Sequence, residues 1–228
     1  MIFYVLGLDF SAEALKVAQG LASELGLSAP DVKWVVSDVY DAVEALEGEQ
    51  FDLVYVSIGS LCWLPDVKKW AAVVGRCVKP GGHFYIRDGH PMAMTLASDS
   101  DTPGYMDRPK DALGARDLLI SFPYYEKQQP MTFVDEYSYD GEGKLAEGAM
   151  TTHEWNHPLG SIITALVQQG GLNLNFCNEH KFIEWQFQDH MVRDPAYHER
   201  GFGGWRLPPH LEDRCPLTFS ILAHKSVT

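Results

Sequence analysis

Ile2-Phe3-Tyr4-Val5-Leu6-Gly7-Leu8-Asp9, followed by Phe10-Ser11, decides how the rest of the chain is read. It is a short, nearly continuous apolar run that ends in an acid. Such a run fits a strand covered on both faces, as in a parallel sheet. Ser11 is then a natural N-cap, and Glu13 places a negative charge in the first turn, where the helix dipole favours it. Leu15, Ala18, Leu21, Ala22 and Leu25 recur at helical spacing, with Gly26 as the stop and Pro30 as a break.

The same alternation repeats downstream. Val32 to Asp38 reads as a second strand ending in an acid, and a short helix follows around Asp41 to Leu46. Phe51 to Ser57 is a third strand, and Asp66 to Val78 an amphipathic helix with Val67, Trp70, Val73, Val74 and Cys77 on one side. Lys79-Pro80-Gly81-Gly82 is a turn, and His83 to Asp88 a fourth strand. Strands alternating with helices at this spacing imply parallel crossovers and an open α/β sheet. From Gly89 to about Gln129 the pattern is lost, and Ser98-Asp99-Ser100-Asp101-Thr102-Pro103-Gly104 reads as a solvated loop. A connection this long suits an active-site cover. Met131 to Tyr139 and Ala149 to Trp155 flank the turn signal Asp140-Gly141-Glu142-Gly143 and read as an antiparallel hairpin. Pro158 to Gln169 is a helix, and Leu172 to His180 and Leu217 to His224 are further strands. The aromatic, histidine-rich stretch from Trp185 to Pro209 has no clear period.

Composition narrows the function. The 228 residues are 46% hydrophobic and 21% charged, which is the globular range. Eighteen Lys and Arg face 31 Asp and Glu, a net charge of −13, so phosphate backbones are repelled and nucleic acid is not expected as a partner. No apolar run is long enough to span a membrane, and Met1 to Asp9 lacks the pattern of a signal peptide. Cys62, Cys77, Cys177 and Cys215 lie far apart without a C-x-x-C pair. Zinc and a disulfide framework are therefore not expected, and a cytoplasmic location is. Asp99 and Asp101 read as solvated carboxylates, so no metal site is expected.

In an open α/β sheet ligands bind beyond the carboxyl ends of the strands. Asp9, Asp38 and the segment Ser57-Ile58-Gly59 stand there. A carboxylate so placed accepts two hydrogen bonds from a ribose diol, and Asp38 with the Val39 backbone can read the edge of an adenine. Each acid alone also reads as a cap or a turn residue; as a pair at successive strand ends they favour a nucleotide.

Val5-Leu6-Gly7-Leu8-Asp9-Phe10-Ser11, Ser37-Asp38-Val39, Phe51-Asp52-Leu53-Val54 and Val78-Lys79-Pro80-Gly81-Gly82-His83-Phe84 together resemble class I S-adenosylmethionine-dependent methyltransferases, collinearly from about Tyr4 to Pro91. Ser60 to Asp66 and Glu154-Trp155-Asn156-His157-Pro158-Leu159-Gly160 are similar to segments of a small-molecule subgroup. The resemblance implies one Rossmann-like domain over residues 1–228. Its sheet is mostly parallel with an antiparallel C-terminal edge strand, and a substrate-covering insertion with a small hairpin spans about 91–157. It implies S-adenosyl-L-methionine as cofactor and a small-molecule methyl acceptor. It also implies that Asp9 binds the ribose and Asp38 and Val39 the adenine. Phe10 would lie on the adenine face or pack in the core. Ser57, Ile58 and Gly59 would line the methionine end.

Methyl transfer from a sulfonium needs alignment and sometimes a base. His90 is the candidate base or orienting group, with Asp88, His153 and His157 nearby in the reading and a hydrogen-bonded structural role as the alternative. Trp63, Tyr105, Tyr124, Tyr125, Trp155, Trp185 and Trp205 either wall an acceptor pocket or pack.

That family carries its glycine-rich loop after a strand preceding the one that ends in Asp9. No G-x-G-x-G occurs in the chain, so the domain reads as N-terminally incomplete, with weak cofactor affinity. The missing strand would lie between those ending at Asp9 and Ser57. The alternative is a natural protein that closes the gap by direct pairing or through a partner subunit, for which a homodimer is one arrangement. A non-catalytic, cofactor-defective relative is the rival function. A nicotinamide dehydrogenase is a weaker rival that does not account for Ser37-Asp38-Val39 or the Lys79 to Gly82 turn.

Overall fold

A computed structural model of the chain describes residues 4–27, 31–96, 118–134, 151–188, 190–195 and 204–227. The Ser98 to Gly104 loop, Tyr105 and the Asp140 to Gly143 turn lie outside these residues. So do parts of the two expected hairpin strands.

Strand β1 (Val5–Asp9) leads into helix α1 (Ala12–Glu24), whose N-cap Ser11 accepts a hydrogen bond from the Ala14 amide. β2 (Val32–Val36) pairs with β1 in parallel, Asp9 level with Val36. A turn of 3-10 helix over Val39–Asp41 precedes the short α2 (Ala42–Ala45). β3 (Phe51–Val56) runs to α3 (Val67–Cys77), capped by the Asp66 carboxylate, which accepts from the amides of Lys68 and Lys69. β4 (Val78–Gly89) follows without a break. The expected Lys79 to Gly82 turn is therefore a bulge inside β4: pairing with β3 jumps from Phe51–Val78 to Leu53–His83, with Gly81 at φ 78°. Absorbing four residues there keeps His83 to Ile86 in register with β3 and His83 to Gly89 in register with β11.

β5 (Met131–Val134) and β6 (Thr151–Glu154) form the expected antiparallel hairpin within the described residues. α4 (Leu159–Gln168), β7 (Leu172–His180) and, late in the chain, β11 (Thr218–Lys225) complete the framework. Between β7 and β11, β8 (Phe182–Ile183), β9 (Val192–Arg193) and β10 (Trp205–Arg206) make a small sheet in the order β8-β10-β9. Sequence pattern missed this sheet, because strands of two residues carry no period.

The main sheet runs β3-β4-β11-β7. β11 is antiparallel to both β4 and β7, so the antiparallel strand sits one position in from the edge, with β7 outside it. Phe84 and Ile86 of β4, Ile221 of β11, Trp70 and Val74 of α3 and Ile162 and Leu166 of α4 share one core. Trp70 meets Phe84 edge to face at 5.8 Å. α3 and α4 approach so closely that a Cβ on Gly75 would lie 2.0 Å from the Gly170 carbonyl oxygen. Among the described residues β1 pairs only with β2, and β3 only with β4. The direct pairing weighed as a way to close the gap does not occur. Leu6, Leu8 and Val35 nonetheless share a cluster with Phe51 and Val54 over α2 and the flank of α3. The two sheets are thus joined through the helical layer and not through backbone hydrogen bonds.

Among the described residues the opposite face of the main sheet is open. Tyr55, Tyr85, Leu222 and Phe176 stand level across four strands. The Tyr55 and Tyr85 rings stack at 5.9 Å, and Tyr55 is 62% exposed and Leu53 56% exposed.

Candidate active site

Asp9 is the last residue of β1, and the other candidate cofactor residues sit beyond a strand end. The Asp9 carboxylate accepts the Ser11 amide through one oxygen at 2.7 Å, and the Ser37 amide donates to the Asp9 carbonyl at 3.0 Å, which sets the β1 and β2 ends side by side. Asp38 is exposed and its Oδ1 accepts the Tyr40 amide at 2.8 Å. Each acid therefore caps its turn and keeps a second oxygen with no protein hydrogen bond among the described residues. The structural and ligand readings are compatible at the level of single atoms. Val39 is half-buried against the main core, whereas Phe10 is 79% exposed, so the core-packing alternative for Phe10 does not apply. Below Val39 the Tyr40 hydroxyl accepts the Asp66 amide at 2.8 Å, which ties this turn to the start of α3. Burial raises the Tyr40 hydroxyl above its ordinary pKa.

Ser57, Ile58 and Gly59 form the loop after β3. Gly59 has φ 81°, a left-handed conformation that disfavours side chains. The loop is held from β4. Asp88, 4% exposed, accepts the amides of Gly59 (2.6 Å) and Gly89 (2.7 Å) on one oxygen, and of Ser60 (3.2 Å) and Leu61 (3.0 Å) on the other. Burial pushes the Asp88 carboxyl above the usual carboxylate range, against the pull of these four donors.

A cavity opens beside this loop, lined by Gly59, Cys62, Asp88, Gly89, Trp155 and Trp185 among others. Burial pushes the Cys62 thiol well up, so it lines the cavity as a neutral group. The roof comes from Trp155-Asn156-His157, the segment singled out by resemblance. The Trp155 amide donates to the Cys62 carbonyl at 2.8 Å. Asn156 Nδ2 donates to the carbonyls of Pro91 (2.9 Å) and Pro123 (3.1 Å). His157 is buried with Nε2 2.7 Å from the Leu64 carbonyl and Nδ1 3.2 Å from Glu126. Trp155 and His157 thereby fasten the inserted region to the segment between β3 and α3, and Asn156 ties together two points within the insertion. Trp155 and Asn156 also border a second hollow, reaching Tyr125, Lys127 and Met131.

His90 lies elsewhere. It is 4% exposed, its Nδ1 accepts the Met92 amide at 3.0 Å, and its Nε2 lies 2.9 Å from Glu179 on β7. Burial lowers its pKa, with Glu179 opposing. A base role at this position requires one of those contacts to break. His153 sits on the exposed side of β6, with Nδ1 3.1 Å from the Thr132 hydroxyl. Of the aromatic candidates, Trp155 and Trp185 border the first cavity and Tyr125 the second, while Trp205 stacks under the Arg193 guanidinium at 4.2 Å. Sequence reasoning missed Asp88 as the centre of the loop. Its one signal was position: an acid on the buried face of a strand, in phase with Phe84 and Ile86. Among the described residues no three His, Cys, Asp or Glu gather as a metal site.

Residues 2–86 match the family model described as a methyltransferase domain. A solved S-adenosylmethionine-dependent methyltransferase from Mesorhizobium loti is 21% identical; the match covers 97% of this chain and 80% of that one, with a TM-score of 0.56. One from Clostridium acetobutylicum is 15% identical over 98% of this chain and 75% of that one, with a TM-score of 0.54. The fold is that of the class I S-adenosylmethionine-dependent methyltransferases. Over residues 2–86 the likeness extends to sequence, and Asp9, Asp38 and the loop after β3 all fall inside the stretch that matches the family model. No curated protein matches the chain. Among the described residues no helix is long and apolar enough to cross a membrane.

Proposed function

We propose that this methyltransferase moves a methyl group from S-adenosyl-L-methionine to a small-molecule acceptor. The observation that carries the reading is that Asp9, Asp38 and the Gly59 loop each stand at or just past the carboxyl end of a parallel-paired strand within the stretch that matches the family model. When bound, the cofactor supplies a methyl group activated by a sulfonium. The free oxygen of Asp9 would hold the ribose diol, Asp38 and the Val39 backbone the adenine, and the exposed Phe10 ring the adenine face. Ser57, Ile58 and Gly59 would border the methionine end. The cavity under Trp155 and Trp185 would take the acceptor and exclude water from it. The described residues fit the adenosine end of the cofactor. They supply no glycine-rich cradle for its amino-acid end.

We propose that one further parallel strand occupies the place between β1 and β3 in the working domain. The unpaired sides of these two strands support it. Residues 91–157 serve as the substrate cover. The acidic charge and four free thiols fit work on small acceptors in a reducing cytoplasm. The same gap favours a second reading, a cofactor-defective relative that does not catalyse; a homodimer could close the gap in either case.

Calorimetric titration with S-adenosylhomocysteine decides between the two. Binding supports the enzyme. Silence, both in this chain and after a strand, glycine-rich turn and helix are supplied ahead of Tyr4, supports the cofactor-defective relative. Full activity of His90→Ala, in a protein that transfers methyl groups, removes His90 from the chemistry.

A further inference from the structure

Asp88 occupies a position where an apolar residue would be expected. Phe84, Ile86 and Asp88 alternate onto the buried face of β4, and the first two are core residues. A carboxylate there has lost its water, a cost that only strong partners offset. The partners are backbone amides: three in a row from Gly59, Ser60 and Leu61, and its own neighbour Gly89. A regular turn would satisfy those amides without a buried acid. This loop instead points three consecutive N–H groups inward and takes Gly59 to φ 81°. The result is a fixed shape beside the cavity, to which Gly59, Leu61, Cys62, Asp88 and Gly89 all contribute. Both oxygens of Asp88 are already occupied, so it has no free lone pair directed at a substrate proton.

We propose that Asp88 is a positioning residue: it sets the loop of residues 57–61 so that Ser57, Ile58 and Gly59 meet the methionine end of the cofactor in one conformation. This rests on the methyl-transfer reading and assigns within it the group that shapes the methyl-transfer channel. The adenosine end is held separately, by Asp9 and Asp38 on the other sheet. Disturbing Asp88 should therefore affect the two ends of the ligand unequally.

The test compares two probes, S-adenosylhomocysteine and adenosine, on the 228-residue protein and on Asp88→Asn. An asparagine amide turns a donor toward amides that need an acceptor. The expected result is S-adenosylhomocysteine affinity about tenfold weaker with adenosine affinity unchanged, and faster hydrogen exchange at the amides of Gly59 to Leu61. Equal loss for both probes would reduce Asp88 to general stability, and no loss for either would remove the role altogether. Should Asp88→Asn not fold, Gly59→Ala is read in the same way. It leaves Asp88 and the core intact and strains the loop through its backbone, and faster exchange at the Ser60 and Leu61 amides separates that strain from a contact of the new methyl with the ligand. If neither probe binds, either to the unmodified protein or after a strand, glycine-rich turn and helix are supplied ahead of Tyr4, the methyl-transfer reading fails, and the channel role with it. Exchange at the amides of Gly59 to Leu61 in Asp88→Asn then still reports whether the acid fastens the loop.

Discussion

The β1–β2 pair and the four-stranded β3-β4-β11-β7 sheet each bring part of the proposed cofactor site, yet they are built very differently. The larger sheet has a layer of two helices locked on one face, with Trp70, Phe84 and Ile86 almost wholly enclosed. The smaller has two strands, an exposed Val36 and Phe10, and contact with the rest through side chains over α2 and α3. Two-stranded sheets are marginal alone and depend on what packs against them. The comparison teaches that the rigid half of the proposed site is the loop tied to Asp88, and that Asp9 and Asp38, the acids proposed for the ribose and adenine, sit on the half with less support.

The contrast breaks first in the core. Trp70→Ala should cost about 3–5 kcal/mol of stability in urea unfolding, because a fully enclosed indole between α3 and β4 leaves a cavity. A loss below about 1 kcal/mol would mean that the larger sheet is not the stable half. Gly75→Ala should cost about 1–3 kcal/mol, since its Cβ meets the Gly170 backbone and not a movable side chain.

Acid should separate the two halves. Burial lowers the pKa of His90 and of His180, on β4's flank and on β7, and residues 1–50 contain no histidine. A histidine whose pKa falls on folding adds stability above its unfolded value of about 6.5 and loses it as pH drops through the folded value. Around His90 the facing groups are Glu179, whose carboxylate opposes the shift, and the Phe219 ring at 6.3 Å. Around His180 they are the Ser220 hydroxyl at 2.8 Å, Arg87, which lowers the pKa further, and Glu184, which opposes. Hydrogen exchange at pH 5 should therefore speed up along β4, β11 and β7 relative to pH 8 beyond the intrinsic pH effect. His90→Gln should reduce that difference, and an unchanged difference would clear His90 of the role. The smallest effect belongs to Val36→Thr on the exposed side of β2, within about 0.5 kcal/mol of the parent in the same urea assay.

Much of this architecture was legible in the residues. The strand ending in Asp9, the Ser11 cap and the apolar stripe of α3 are local signals, and each appears as read, whereas β2 stops at Val36, two residues short of Asp38. The open place between the strands ending at Asp9 and Ser57 was implied by the family resemblance alone, and the β1–β2 pair and the β3-β4-β11-β7 sheet stand as separate sheets. What the sequence could not display was partnership across distance. Lys79 to Gly82 spells a turn by composition, yet pairing with β3 draws it into a bulge. Asp88 spells a strand-end acid, yet its meaning lies in amides 27 to 29 residues earlier in the chain. His90 looked available at a sheet edge, yet the Met92 amide and Glu179 occupy both its nitrogens. The Trp155-Asn156-His157 strap was visible only as a resemblance, because its targets, Cys62, Leu64, Pro91, Pro123 and Glu126, are scattered along the chain.

The central claim is that one cofactor bridges the two halves. Its most direct test is residue-resolved amide NMR during titration with S-adenosylhomocysteine. The account predicts weak binding that shifts two groups together: Asp9 to Ser11 with Asp38 to Tyr40, and Gly59 to Leu61 with Asp88 and Gly89. Shifts confined to one group, or none at millimolar ligand, would contradict it.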